Sequence, residues 1–370
     1  MVTNHGCIRG SAIVFALLVP ASALAQGKWV SGPNATQLCE SHLKANRVVG
    51  MSVAIAKDGK ILYSSGFGWK HREKKIPASE ITRYRLASVS KPISSLLAFE
   101  LIQKNKLELD FKVRRYLKGL PDGHDYSTRE ILGHMSGIRH YKDGKDKTDS
   151  VDTHYVRMSD ACKLFINDKL LFKPGEKYDY STHAYSVLGW LIEDITGKMF
   201  WQYAGERFRA WGLTDLGPEN SPTQGVNRSE IYRHDDGKTK VAGRDDISWK
   251  YPGGGFECSA RDMALLGIKV IDGKIIPRSY LDSVVWKAQT AGGKSTGFGL
   301  GWDVGSRDGK RVVAHSGAQN GASSNWRLYP DQGVVVVVLS NTRHDGTGEL
   351  ARDLADLAFG KPVPVGKPIK

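Results

Sequence analysis

Cysteine is scarce in this chain: four residues in 370, at positions 7, 39, 162 and 258. Cys7 falls in a stretch read below as a cleaved leader, which leaves three widely spaced thiols. An odd trio is no disulfide framework, and no C-x-x-C pair offers zinc ligands. Cys39, Cys162 and Cys258 read as small buried hydrophobes, with at most one disulfide of open pairing. Long apolar runs are equally absent. The strongest candidate, residues 12–19, is too short to span a bilayer. Arg9 before it, and Ala23-Leu24-Ala25 after it, make residues 1–25 a secretory signal with the mature chain starting near Gln26. No cysteine follows at a lipoprotein position. The expectation is therefore an exported protein, periplasmic or secreted, with no stable membrane insertion. Acidic residues are in deficit, 39 against 53 Lys and Arg, for a net charge of +14. The basic residues are scattered, however, with no helix-turn-helix, zinc-finger or RRM signature. Nucleic acid is excluded as a partner, and weak adhesion to anionic envelope surfaces is what the charge allows. Internal repeats are also missing.

What is present is ordinary globular composition, 40 % hydrophobic and 25 % charged, in one block from 26 to 360. A helix is expected over 37–45, then a strand over 51–56. An Asp58-Gly59 hairpin turn leads to a second strand at 61–63 that continues through 66–69. A helix that begins by Ser88 is expected to end near Asn105, and from there to about Ile271 the pattern is mainly helical, broken by polar loops at 142–152 and 234–246. A further helix is expected over 280–288. Strands return at 299–304 and 311–315 around Asp308-Gly309, and at 326–329 and 334–339. A helix at 351–359 closes the domain, and residues 361–370 form an extended tail. Five consecutive valines, Val334 to Val338, demand a strand buried on both faces. The fold class is thus α/β of the α+β type. One antiparallel sheet is built from both termini (26–95 and 290–360), flanked by helices, with a mainly helical insertion at 96–289.

Three short motifs carry the chemistry. Ser88-x-x-Lys91 puts a hydroxyl and an amine on one face of a helix. Pro92 is tolerated only in a first turn, so the helix starts at or just after Ser88, whose hydroxyl then sits at a positive helix end. Ser41-x-x-Lys44 has the same spacing and no further feature, so the spacing alone decides nothing. In the second motif Tyr180 lies on a loop before a helix capped by Ser181 or Thr182, carried by Val187, Leu188, Leu191, Ile192 and Ile195, and stopped at Gly197. In the third, His315-Ser316-Gly317-Ala318 closes a strand.

In this order the motifs resemble those of the serine penicillin-recognising superfamily, nearest the branch of class C β-lactamases, DD-carboxypeptidases, D-aminopeptidases and related esterases. The segments 128–138, 172–197 and 252–262 are similar in order and character, so the resemblance runs from about Gly50 to Asn341. It implies a β-lactamase/transpeptidase-like fold and catalysis by Ser88, Lys91 and Tyr180. Ser88 is the nucleophile that forms an acyl-enzyme. Lys91 or Tyr180 takes its proton, the choice being open, and Tyr180 passes a proton to the leaving group. The resemblance also implies an oxyanion hole from the N–H groups of Ser88 and Ala318, with Thr182, His315, Ser316 and Gly317 lining the substrate site. Two departures matter. Thr182 stands where asparagine is common, and His315 where β-lactamases commonly carry lysine, and both weaken the case for efficient β-lactam hydrolysis.

The function expected is an exported serine hydrolase acting on an ester or a D-amino-acid peptide or amide, cell-wall-derived peptides included, without metal or cofactor. A class C type β-lactamase, or a penicillin-binding sensor without turnover, is the alternative. Gly293-x-Ser295-x-Gly297 matches a nucleophile elbow but lacks the strand before it and the helix after it. Residues 293–295 also end like a P-loop, without its first glycine or a following helix. His134, His140 and His154 lack zinc-ligand spacing and read as surface or supporting residues.

Overall fold

The computed structural model describes residues 1, 29–142, 151–219 and 227–364. The expected leader lies outside them apart from Met1, as does the tail beyond residue 364. Asp58-Gly59 turns strand β1 (Gly50–Lys57) back into β2 (Lys60–His71), with Asp58 and Gly59 both at positive φ as a tight hairpin requires. The short β3 (Ile76–Pro77) pairs on the outer side of β2. The rest of the main sheet comes from the far end of the chain: β4 (Asp303–Arg307), β5 (Lys310–Gln319), β6 (Ala322–Tyr329) and β7 (Val334–Ser340). The order is β4-β5-β6-β7-β1-β2-β3, antiparallel throughout, with β7 against β1 joining the two termini.

The five valines explain that central junction. Val334, Val336 and Val338 enter one core with Leu350, Leu354, Ala35 and Leu38. Val335 and Val337 enter the other with Leu96, Leu97, Met263 and Leu266. Strand alternation therefore sends every side chain into an apolar layer, each burial contributing about 1.5–3 kcal/mol. The first layer belongs to α1 (Gly32–Ala45) and the C-terminal helix (Thr347–Ala358). The second belongs to the inserted region, chiefly α2 (Ser90–Gln103), α3 (Thr182–Thr196), the short α4 (Tyr251–Gly254) and α5 (Ala260–Ile271). The terminal helix is accordingly α6.

Several boundaries differ from the sequence reading. Helix α1 begins five residues earlier than expected, at Gly32, with Pro33 in its first turn. Asp236-Gly237, both at positive φ, turns a hairpin (Tyr232–Asp235 with Lys238–Val241) inside what reads as a polar loop. The inserted region also holds a small sheet, Arg83–Arg85 against Phe256–Ser259 against Gly217–Pro218, from strands too short to show a period. The helix expected over 280–288 is reduced to Arg278–Tyr280 and a π turn, Leu281–Val285. The strand expected from Gly299 starts only at Asp303, because Gly301 turns at φ +92° against Ser95. Cys39, Cys162 and Cys258 are buried and unpaired. Among the described residues no helix is long and apolar enough to cross a membrane.

Candidate active site

Ser88 lies in a single 3-10 turn, Ala87–Val89, that enters α2 at Ser90. The helix therefore starts just after the serine, as Pro92 requires. Ala87 adopts φ +48°, a left-handed conformation a non-glycine residue holds at a cost of about 1–3 kcal/mol. Its surroundings enforce it. Leu86 donates its N–H to Phe256 O at 2.8 Å, and Leu86 O accepts from Ser324 Oγ at 2.6 Å. Just upstream, the fully buried Arg85 grips Glu219 at 2.6 and 2.8 Å and Asp245 at 2.8 Å. Downstream, Ser90 Oγ accepts from Phe256 N–H, and Ser94 Oγ donates to Pro252 O. The turn is thus tied to β6, to the Phe256–Ser259 strand and to the glycine-rich α4, leaving Ser88 half-exposed between buried neighbours.

Lys91 is fully buried, and three groups surround its Nζ: Ser88 Oγ at 3.1 Å, Thr182 Oγ1 at 3.0 Å and Gly253 O at 2.8 Å. No carboxylate is among them. Burial pushes its pKa well below the ordinary lysine value, and the positive Lys250 pushes in the same direction. In its neutral form the amine would donate to Gly253 O and Thr182 Oγ1 and offer its lone pair to the Ser88 hydroxyl. Gly253 must be glycine, because a Cβ there would come within 2.7 Å of Thr182 Cγ2.

Tyr180 stands on the loop before α3, and Ser181 caps that helix by accepting from Ala184 N–H at 3.0 Å. The Tyr180 ring centre lies 4.6 Å from Lys91 Nζ. Burial holds the phenol well above its usual pKa, only partly offset by Ser88. Two histidines orient this loop. His134 Nδ1 accepts the Ser181 N–H at 3.1 Å while its ring packs 4.3 Å from that of Tyr180, and His140 Nδ1 accepts the Thr182 N–H at 3.2 Å. His134 is wholly buried rather than superficial, whereas His154 is exposed and pairs with Asp246.

The third motif is the free end of β5. Strand β4 stops at the Asp303–Ala314 pair, but β5 continues to Gln319 paired only with β6. Residues 315–319 therefore keep one unpaired edge, and Gly317 lies against the Ser88 turn. Ser316 and Ala318 are exposed while His315 is buried. Burial, with Lys91 nearby, lowers the His315 pKa to about 3, so the imidazole is neutral and its Nε2 has no partner among the described residues. Of the residues singled out by sequence, Ser88, Lys91, Tyr180, Thr182, His315 and Gly317 lie together at this seam, whereas Ser316 lines a separate pocket with Asp303, Asn325 and Arg352. Sequence reasoning missed Gly253, His134 and His140 as contacts, since a carbonyl and two isolated histidines carry no motif. Ser295 sits in an exposed hairpin far from any helix start. A cavity of about 980 Å³ lined by Arg47, Arg343, His344 and Arg352 contains none of Ser88, Lys91 and Tyr180. Volume without a nucleophile does not mark the reaction site. Among the described residues no group of three or more His, Cys, Asp or Glu gathers as metal ligands.

A sheet made from both termini, a helical insertion, and a Ser-Lys-Tyr cluster at their seam define the serine β-lactamase-like class. The chain belongs to the Beta-lactamase family, whose model matches residues 35–360. It is similar to Protein flp of Staphylococcus aureus (strain MW2), 24 % identical over 335 residues, 86 % of this chain. The chain spans 64 % of that relative's length. Among solved structures it resembles the octameric penicillin-binding protein homologue of Pyrococcus abyssi, with TM-score 0.76 and 22 % identity over 89 % of this chain and 77 % of the other. It also resembles the D-amino acid amidase of Ochrobactrum anthropi SV3, with TM-score 0.75 and 20 % identity over 89 % and 99 %. Members of this fold family are serine hydrolases.

Proposed function

We propose that this chain is a serine hydrolase that forms an acyl-enzyme on Ser88 and acts on an ester or a D-amino-acid peptide or amide. The observation that carries the reading is the 3.1 Å approach of a buried Lys91 amine, without a carboxylate partner, to the Ser88 hydroxyl. Lys91 takes the Ser88 proton as Oγ bonds to the substrate carbonyl carbon, which makes lysine rather than tyrosine the acylation base. The negative oxygen that forms is held by the N–H groups of Ser88 and Ala318, a donor of this kind being worth on the order of 100- to 1000-fold in rate. Tyr180, kept protonated by burial, gives its proton to the leaving group as the C–O or C–N bond breaks, and regains one from Lys91. Water then attacks the acyl carbon, its proton passing into the same Tyr180–Lys91 pair, and Ser88 is released. Thr182 and the neutral His315 line the site, which suits an ester or peptide better than a β-lactam. The amide substrate class is supported by the likeness to the amidase. The leader-like residues 1–25 support export to the periplasm or medium.

Intact-mass measurement after treatment with a fluorophosphonate or a penicillin tests the reading. One adduct is expected on the wild type and none on Ser88→Ala, and an adduct that persists in Ser88→Ala overturns it. A p-nitrophenyl ester, nitrocefin and a D-Ala-D-Ala peptide then separate the activities.

A further inference from the structure

The 980 Å³ cavity without a nucleophile lies between the end of α1, the β5–β6 turn, the Tyr232–Asp235 strand and the start of α6. Arg47, Arg233, Arg343 and Arg352 line it, against two carboxylates, Asp345 and Glu349. Those carboxylates do not neutralise the arginines: among the described residues neither forms an ion pair with any of the four. Arg343 and Arg352 are exposed, and their side chains make no hydrogen bond or ion pair among the described residues. Arg47 donates only to Gly237 O, at 2.8 Å. The carboxylate nearest Arg233, on Asp235, is 3.8 Å away and is already held by Lys240 at 3.1 Å. The wall that carries Arg343 is fixed in place. Ser323 Oγ donates to His344 O at 2.7 Å and accepts the His344 N–H at 2.9 Å, and the His344 ring bonds the buried His42 at 2.9 Å. Helix α6 enters the cavity with Gly346 as its N-cap, so no side chain covers its first-turn N–H groups. Arg352 reaches over that turn, since a Cβ on Gly348 would stand 3.7 Å from its Nη1.

We propose that this cavity binds a small ligand carrying two or more phosphate groups, at a site separate from Ser88 and independent of the acyl-enzyme reading. Four guanidiniums around one concavity repel one another, and four against two carboxylates leave an excess of two positive charges. Concave walls focus such a field and draw in the opposite charge. The planar fork of arginine matches two oxygens of one phosphate. A phosphate offers three oxygens and close to two charges, enough to join two arginines, whereas a carboxylate satisfies one fork. The open N-terminus of α6 favours an anion in the same place. The volume is that of a small-molecule site, roughly 300–1,000 Å³, so the occupant is a compact polyphosphate, free or esterified, rather than a protein.

Isothermal titration with tripolyphosphate, inositol hexakisphosphate and citrate, at an ionic strength of about 0.15 M so that loose surface attraction is screened, tests this. One equivalent of at least one phosphate compound is expected to bind, and the tighter of the two tells the free from the esterified form. Citrate should bind about 10-fold more weakly than that compound. Arg343→Gln with Arg352→Gln should weaken phosphate binding by about 10- to 100-fold. Lys104→Gln with Lys106→Gln removes the same charge from exposed positions outside the cavity, and should change binding by less than about 2-fold. Arg47→Gln, a single change at the α1 end, should weaken binding by about 3- to 10-fold and serves where the double variant fails to fold by circular dichroism. Absence of binding by both phosphate compounds, an equal loss in the arginine and lysine variants, or citrate held as tightly as the phosphates overturns the site.

Discussion

Gly317 faces the amide nitrogen of Ser88 so closely that a Cβ on it would lie 2.9 Å from that nitrogen and 2.5 Å from Leu86 O. The unpaired edge of β5 and the nucleophile's own backbone therefore form the two walls of one narrow slot. The β5 wall has no room for a methyl group at Gly317. Gly317→Ala is expected to push β5 away from the Ser88 turn and open the oxyanion hole. Ester turnover should fall by on the order of 100- to 1000-fold, with far-UV circular dichroism unchanged. Near-wild-type kcat would show that this contact does not shape the hole.

Lys91 must be neutral to accept the Ser88 proton, and lysine loses its proton as pH rises. Activity on a neutral p-nitrophenyl ester is therefore expected to switch on with rising pH, at a midpoint well below the ordinary lysine value. Burial lowers the His315 imidazole to about 3 and holds that of His134 well below its usual range, so neither produces the rising limb. Lys250 is the charged neighbour that pushes in the same direction as burial, so Lys250→Met should move the limb to higher pH. A pH–rate profile from 5 to 10 for both proteins checks the sign. A limb that moves down, or not at all, removes Lys250 from the account of Lys91.

Thr182 supplies one of two acceptors for the Lys91 N–H groups, at 3.0 Å. Thr182→Val keeps the shape and deletes the acceptor, leaving a buried donor unpaired. That costs about 1–3 kcal/mol, so kcat/KM should drop roughly 5- to 150-fold with little change in thermal midpoint. Thr182→Ser, which retains the hydroxyl, should recover most of the rate. Equal activities in the valine and serine variants would argue against a neutral lysine held by this pair.

Arg85 and Glu219 are both wholly buried and joined by two hydrogen bonds. Arg85→Ala strips that pairing and also releases Asp245. Breaking one side of a buried ion pair costs about 3–5 kcal/mol, and Glu219 keeps Arg228 and Arg244 as partial compensation. A loss near 3 kcal/mol is expected in urea unfolding. Activity should fall as well, because the Arg83–Arg85 strand leads directly into the strained Ala87. A stable but inactive variant would separate the anchoring of Ser88 from the stability of the domain.

The local signals in this chain were legible because each depends on neighbours in sequence. Asp58-Gly59 and Asp308-Gly309 force hairpins, Val334 to Val338 force a doubly buried strand, and Pro92 places the start of α2 next to Ser88. The family pattern added Tyr180 and the His315–Ala318 strand end. What sequence left open was the acylation base, because a lysine and a tyrosine both begin with pKa values near 10. The tertiary structure favours Lys91: it is enclosed without a carboxylate, beside Lys250, while Tyr180 is held protonated. Gly253, His134 and His140 likewise belong to no motif. They reach Lys91, Ser181 and Thr182 only because the inserted region folds back on itself, and desolvation there, which no spacing encodes, decides which group carries the proton.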